Sequence, residues 1–198
     1  MASSTETFLF MDLVGFTALT AERGDDDAAD IALRFYGRVR VLLPDHSAEE
    51  IKTIGDAMMV RCEDPKLAVA LGLRIVDELS SSAGFPPLRA GIHTGSAVCR
   101  DGDWYGGAVN VAARLCSAAG GGEVLISEAT RNAAGSLAEL DLGERQLHWL
   151  KNVSEPVAAW PAFPPAEPQP QLFARKLGLL TRLGSGARMA VRRTGMAG

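Results

Sequence analysis

Apolar positions along this chain fall into short blocks whose spacing switches between strand-like and helix-like periods, with glycine, proline and acidic clusters between them. Phe8-Leu9-Phe10-Met11 is uninterrupted and stops at Asp12, which predicts a buried central strand. Gly15-Phe16-Thr17 turns the chain into a helical segment. Asp25-Asp26-Asp27 then offer an N-cap for a longer helix from Ala29 to Leu43, closed by Pro44. Glu50 to Ile54 and Ala57 to Val60 are strand-like runs joined at Gly55-Asp56, a hairpin signal. Asp64-Pro65 is an N-cap followed by a first-turn proline, and Leu67, Leu71, Ile75 and Leu79 recur at helical spacing behind it. Leu88 to Arg100 reads as a strand with a kink at Gly95. Gly106-Gly107 opens a helix from Ala108 to Ala119, which Gly120-Gly121-Gly122 ends. Val124-Leu125-Ile126 is a further strand, with Ser127 capping a short helix, and Gln146 to Leu150 with Pro156 to Trp160 form a closing strand pair. Hairpins mixed with helical crossovers predict an α+β fold, a sheet with helices packed on it.

Composition narrows the classes. An apolar share of 47% with 22% charged residues gives a soluble globular domain with a full core, and a formal charge of −4 excludes a whole-chain nucleic-acid signal. Cys62, Cys99 and Cys116 are too few and scattered for a disulfide framework, so reduced thiols are expected. The histidines show no zinc spacing. The start is polar, and Asp12 and Arg74 interrupt the longest apolar runs, so a cytoplasmic chain without a transmembrane segment is expected. Two regions follow: a domain over 1–161 and a tail over 162–198. Pro161 to Gln171 has linker composition, and a basic amphipathic stretch around Leu177 to Leu183 suits a membrane surface or a protein partner, or else a solvated, disordered tail.

Candidate chemistry begins at Asp12, a carboxylate ending a buried strand, and at Asp56, on a tight turn beside apolar strands. Such an acid is costly to desolvate unless paired or metal-bound, and two brought together repel unless cations lie between them. Taken singly, each also fits a strand-end cap or a turn former. Asn110 and Arg114 lie four apart on one helical face, a donor pair suited to phosphate, although such residues also populate solvated faces.

Four segments in order then carry a resemblance: Phe10-Met11-Asp12-Leu13-Val14-Gly15-Phe16-Thr17, Ile51-Lys52-Thr53-Ile54-Gly55-Asp56-Ala57, Arg89-Ala90-Gly91-Ile92-His93-Thr94-Gly95, and Asp103 through Leu115. Over roughly Thr7 to Trp160 the chain resembles the class III adenylate/guanylate cyclase catalytic domain. The resemblance implies a ferredoxin-like, palm-related sheet, largely antiparallel, and a homodimer with composite sites. It implies that Asp12 and Asp56 hold two divalent cations, Mg2+ or Mn2+. Lys52 and Asp103 would read the purine, and Asn110 and Arg114 would position the ribose and stabilise the transition state. Lysine only donates and aspartate only accepts, which suits adenine N1 and its 6-amino group and not guanine. ATP is therefore the expected substrate and 3′,5′-cyclic AMP the product. The family's late phosphate-contacting lysine has no clear counterpart here, Lys151 being the nearest. A silent nucleotide-binding dimerisation module and a cyclase that also accepts GTP stay open as alternatives.

Overall fold

The computed structural model describes residues 3–163. Its elements are β1 (Ser4–Leu13), α1 (Phe16–Arg23), α2 (Asp25–Leu42), β2 (Ala48–Ile54), β3 (Ala57–Cys62), α3 (Pro65–Ser80), β4 (Leu88–Arg100), β5 (Asp103–Tyr105), α4 (Gly107–Ala118), β6 (Val124–Ser127), α5 (Glu128–Ala134), β7 (Asp141–Leu142), β8 (Gln146–His148) and β9 (Val157–Phe163). The described strands join in one sheet of order β2-β3-β1-β4-β6-β9-β7, with β5 on β4 and β8 on β9. Its ladders are antiparallel apart from β4 with β6. This is the expected α+β architecture.

The apolar run of β1 is buried because both faces of the sheet are covered there. Leu9 and Met11 point to one side and pack with Phe35 and Val39 of α2 and Leu71 and Ile75 of α3. Phe8 and Phe10 point to the other, against Ala108, Ala112 and Cys116 of α4. The alternation is the ordinary consequence of strand geometry. The α4 helix comes unusually close to β4, and two glycines permit it: a Cβ at Gly91 would stand 2.1 Å from the Cys116 amide nitrogen, and one at Gly95 3.1 Å from the Ala108 Cβ.

Several local expectations shift. The acids Asp25, Asp26 and Asp27 form the first turn of α2, with Gly24 at the cap position, so they face the positive end of the helix without capping it. Asp64 does cap α3, accepting from the amides of Lys66 and Leu67. The strand expected over Leu88 to Arg100 forms with those bounds, Gly95 lying inside it. The short β5 and β7 carry too few residues to show a period. β9 continues through Pro161 to Phe163, and Pro161 faces the gap between β7 and β8, where a missing N–H costs no ladder bond on that side. A buried hydroxyl chain, Thr7 to Thr94 to Thr130 to Ser127, ends on His93 Nδ1 and ties β1, β4, β6 and α5 together. Burial holds the His93 imidazole down at about 4, so the ring is neutral at physiological pH.

Among the described residues no helix is long and apolar enough to cross a membrane, and Cys62, Cys99 and Cys116 are free thiols. The expected linker beyond Phe163 and the basic amphipathic stretch lie outside the described residues.

Candidate active site

Sheet register brings the two acids together. Asp12 of β1 stands opposite Ala57 of β3, and Asp56 is the residue immediately before that partner, on the two-residue loop between β2 and β3. Gly55 opens this loop at φ +62°, a conformation for which glycine is suited, and Asp56 follows it at the mouth of the hairpin. On its other side Asp12 faces Arg89 of β4. The Arg89 guanidinium donates from Nε (2.8 Å) and Nη2 (2.5 Å) to Asp12 Oδ2, and from Nη1 to the Ser117 carbonyl at the end of α4 (3.0 Å). Burial first, and then the adjacent Asp12 carboxylate, push the Asp56 carboxyl up to about 6, with Arg89 offsetting part of the effect.

Two partly desolvated carboxylates in contact, one resisting ionisation, are oxygen donors short of positive charge. That is the donor chemistry of a hard divalent cation, and the residues present fit one. Among the described residues no third His, Cys, Asp or Glu joins them. Magnesium-type sites are often completed in this way by substrate phosphates and water around one or two carboxylates.

The raised Asp56 has a consequence for pH. Its folded form retains a proton that the unfolded chain releases near 3.8, so its stabilising contribution is complete below about pH 4 and is lost as pH rises through about 6. Thermal unfolding of the metal-free protein is expected to show a falling midpoint across that window, restored by Mn2+ at the upper end. Asp56→Asn is expected to flatten both responses.

Lys52 and Asp103, the pair expected to read a purine, also come together. Lys52 of β2 donates from Nζ to Asp103 Oδ2 of β5 at 2.5 Å, and this bond is the leading cause of the lowered Asp103 carboxyl. The Trp104 amide donates to Asp103 Oδ1 (2.8 Å), fixing the carboxylate plane. Trp104 itself turns inward onto Phe8 and under Arg61, while Tyr105 stays half exposed with its ring 5.9 Å from Lys52 Nζ. These two aromatics therefore divide: one packs against the core and the other borders the Lys52–Asp103 pair.

Asn110 and Arg114 project from the exposed side of α4, opposite the buried Val111, Ala112 and Leu115. Neither side chain makes a hydrogen bond or ion pair with a described residue. The six expected residues thus form three pairs, and no hydrogen bond or ion pair joins one pair to another within the chain. Lys151 is exposed in the turn after Leu150, likewise without such a partner among the described residues. Sequence reasoning gave no role to Arg89 or Tyr36. Arg89 could have been flagged as a cation inside a strand beside the acid-ended one; nothing local to Tyr36 distinguishes it from a core aromatic.

Residues 2–146 match the family described as the adenylate and guanylate cyclase catalytic domain. Over 138 residues, 68% of this chain and 34% of the relative, the chain is 41% identical to a pH-sensitive adenylate cyclase of Mycobacterium tuberculosis, so it spans about a third of that relative's length. The adenylyl cyclase CyaB from P. aeruginosa superposes with a TM-score of 0.69 at 23% identity, covering 82% of this chain and 96% of that one. The guanylyl cyclase Cya2 superposes at 0.73 with 22% identity, covering 85% and 96%. These two likenesses bear on the fold.

Proposed function

This chain belongs to the adenylate and guanylate cyclase catalytic domain family, and from that premise we propose that it converts ATP to 3′,5′-cyclic AMP and pyrophosphate at sites completed by a second copy of itself. The observation that carries this reading is the division of the six residues into an acid pair, the Lys52–Asp103 pair and an Asn110–Arg114 face whose side chains have no polar partner among the described residues, all in one chain. Each half lacks what the other supplies. Two chains in two-fold symmetry would each lend one half to either site.

Divalent cations held by Asp12 and Asp56 would supply charge neutralisation on the phosphates and ease removal of the ribose 3′-hydroxyl proton. The residues do the rest. Lys52 and Asp103 hold the adenine edge, Lys52 donating to N1 and Asp103 accepting from the 6-amino group. Asn110 orients the ribose so that its 3′-oxygen lies in line with the α-phosphorus. Arg114 places a fixed cation against the charge that gathers on the phosphate oxygens as the new O–P bond forms and the bond to pyrophosphate breaks. Arg89, donating twice to Asp12 Oδ2, keeps that carboxylate beside the Asp56 turn.

GTP presents an acceptor where Asp103 needs a donor and a donor where Lys52 needs an acceptor. Each mispaired group costs about 1–3 kcal/mol, so ATP is expected to be favoured by roughly tenfold or more in kcat/KM. Incubating the purified protein with either nucleotide and Mg2+ or Mn2+, and separating the products, tests both activity and preference. No cyclic product from either nucleotide overturns the proposal, and equal yields remove the adenine assignment.

A further inference from the structure

The loop that carries Asp56 is held from outside the sheet. Tyr36, on α2, is buried, and its hydroxyl donates a hydrogen bond to the carbonyl oxygen of Gly55. That oxygen belongs to the peptide unit joining Gly55 to Asp56, whose atoms lie in one rigid plane reaching to the Asp56 Cα. Anchoring the oxygen therefore fixes the plane from which the Asp56 side chain departs. Left to itself, a two-residue loop at the open end of a hairpin can rock about its flanking dihedrals, carrying the carboxylate with it.

The anchor is itself braced. Arg40, one helical turn further along α2, forms a forked pair with Glu50 of β2 (2.6 and 2.8 Å), and its guanidinium lies 5.7 Å from the centre of the Tyr36 ring. Phe35 packs beside the same ring at 5.4 Å. The phenol thus has little freedom to follow the loop if the loop moves. A core aromatic needs no hydroxyl, and here the hydroxyl meets the peptide unit that leads into Asp56.

We infer that Tyr36 is a positioning residue for divalent-cation binding: its hydroxyl, through the Gly55 carbonyl, holds Asp56 at the separation from Asp12 at which both carboxylates reach one cation. The inference rests on the reading of Asp12 and Asp56 as the cation site. It touches neither substrate nor cation directly, so its effect is on affinity for the metal before any turnover.

The test is Mn2+ binding to the full chain by titration calorimetry, without nucleotide, alongside thermal unfolding. Tyr36→Phe keeps the ring and its packing and removes the hydroxyl with its bonds to the Gly55 carbonyl and to Thr53, a loss expected to weaken Mn2+ binding by roughly three- to tenfold. Arg40→Gln removes part of the brace but leaves the phenol and its hydrogen bond, and is expected to lower the unfolding midpoint while weakening Mn2+ binding clearly less than Tyr36→Phe. Asp56→Asn is expected to abolish the binding. Wild-type affinity in Tyr36→Phe overturns the inference, as does an equal loss in Arg40→Gln, which would mean general loosening. Unchanged binding in Asp56→Asn removes the cation site itself, and so separates failure of the premise from failure of the Tyr36 role.

Discussion

Replacing Arg114 with alanine is expected to lower ATP turnover by roughly 10²–10³ while leaving the fold alone, the size of effect seen when one transition-state donor is deleted. The fold is spared because Arg114 is exposed and makes no hydrogen bond or ion pair with a described residue. Surface changes of this kind usually stay within about 0.5 kcal/mol of stability. The role proposed for the guanidinium is confined to charge gathering on the phosphates, so the loss should fall on kcat more than on KM. Asp12→Ala should be inactive for a different reason, having lost half of the acid pair. Mixing the two inactive variants distinguishes a shared site from a self-contained one. In a mixed dimer, the Arg114→Ala subunit still offers intact acids and the Asp12→Ala subunit an intact arginine, so one of the two sites is whole. With random exchange, half the dimers are mixed, and about a quarter of the wild-type rate should return. No recovery, with exchange verified, would place each site inside a single chain.

Gly91→Ala should be the most damaging small substitution in the protein. The added methyl would stand 2.1 Å from the Cys116 nitrogen, 2.7 Å from the Ala112 carbonyl oxygen and 2.7 Å from the Cys116 Cα, all backbone atoms of α4. No side-chain rotation relieves such a contact; the helix must lift off β4. Overpacking typically costs 1–3 kcal/mol and more where backbone must move, so a loss of about 3 kcal/mol or more is expected. For a domain of this size that lowers the thermal midpoint by roughly 6–12 °C. Because α4 also carries Asn110 and Arg114, the protein that still folds should turn over ATP more slowly. Gly95→Ala provides the comparison. Its nearest contacts are side-chain atoms, the Ala108 Cβ at 3.1 Å and His93 Nε2 at 3.2 Å, so its cost should be clearly smaller. Equal midpoints for Gly91→Ala and the wild type would show that α4 is not seated against β4 as described.

The sequence alone was enough for those features that depend on neighbours along the chain. The unbroken apolar run Phe8 to Met11 specifies a strand covered on two faces, the spacing of Leu67 to Leu79 specifies one buried helical stripe, and Gly55-Asp56 specifies a hairpin, because each rests on local periodicity or on the conformations a single residue allows. The six candidate residues came from the resemblance carried by four segments in order, and the fold brings Lys52 to Asp103 and the Asp56 turn beside Asp12. Even there, β5 escaped notice, since three residues cannot display a period. What the sequence could not supply is everything set by register between distant segments. That Asp12 meets Asp56 and Arg89, 77 positions apart in the last case, follows from how β1 aligns between β3 and β4. That Lys52 reaches Asp103 depends on β5 folding back along β4. The Tyr36 hydroxyl finds the Gly55 carbonyl only because α2 packs against the hairpin. Strand and helix propensities are local energies and can be read locally. The charge at a carboxylate is a sum over whatever the fold brings near, and only the assembled sheet fixes those distances.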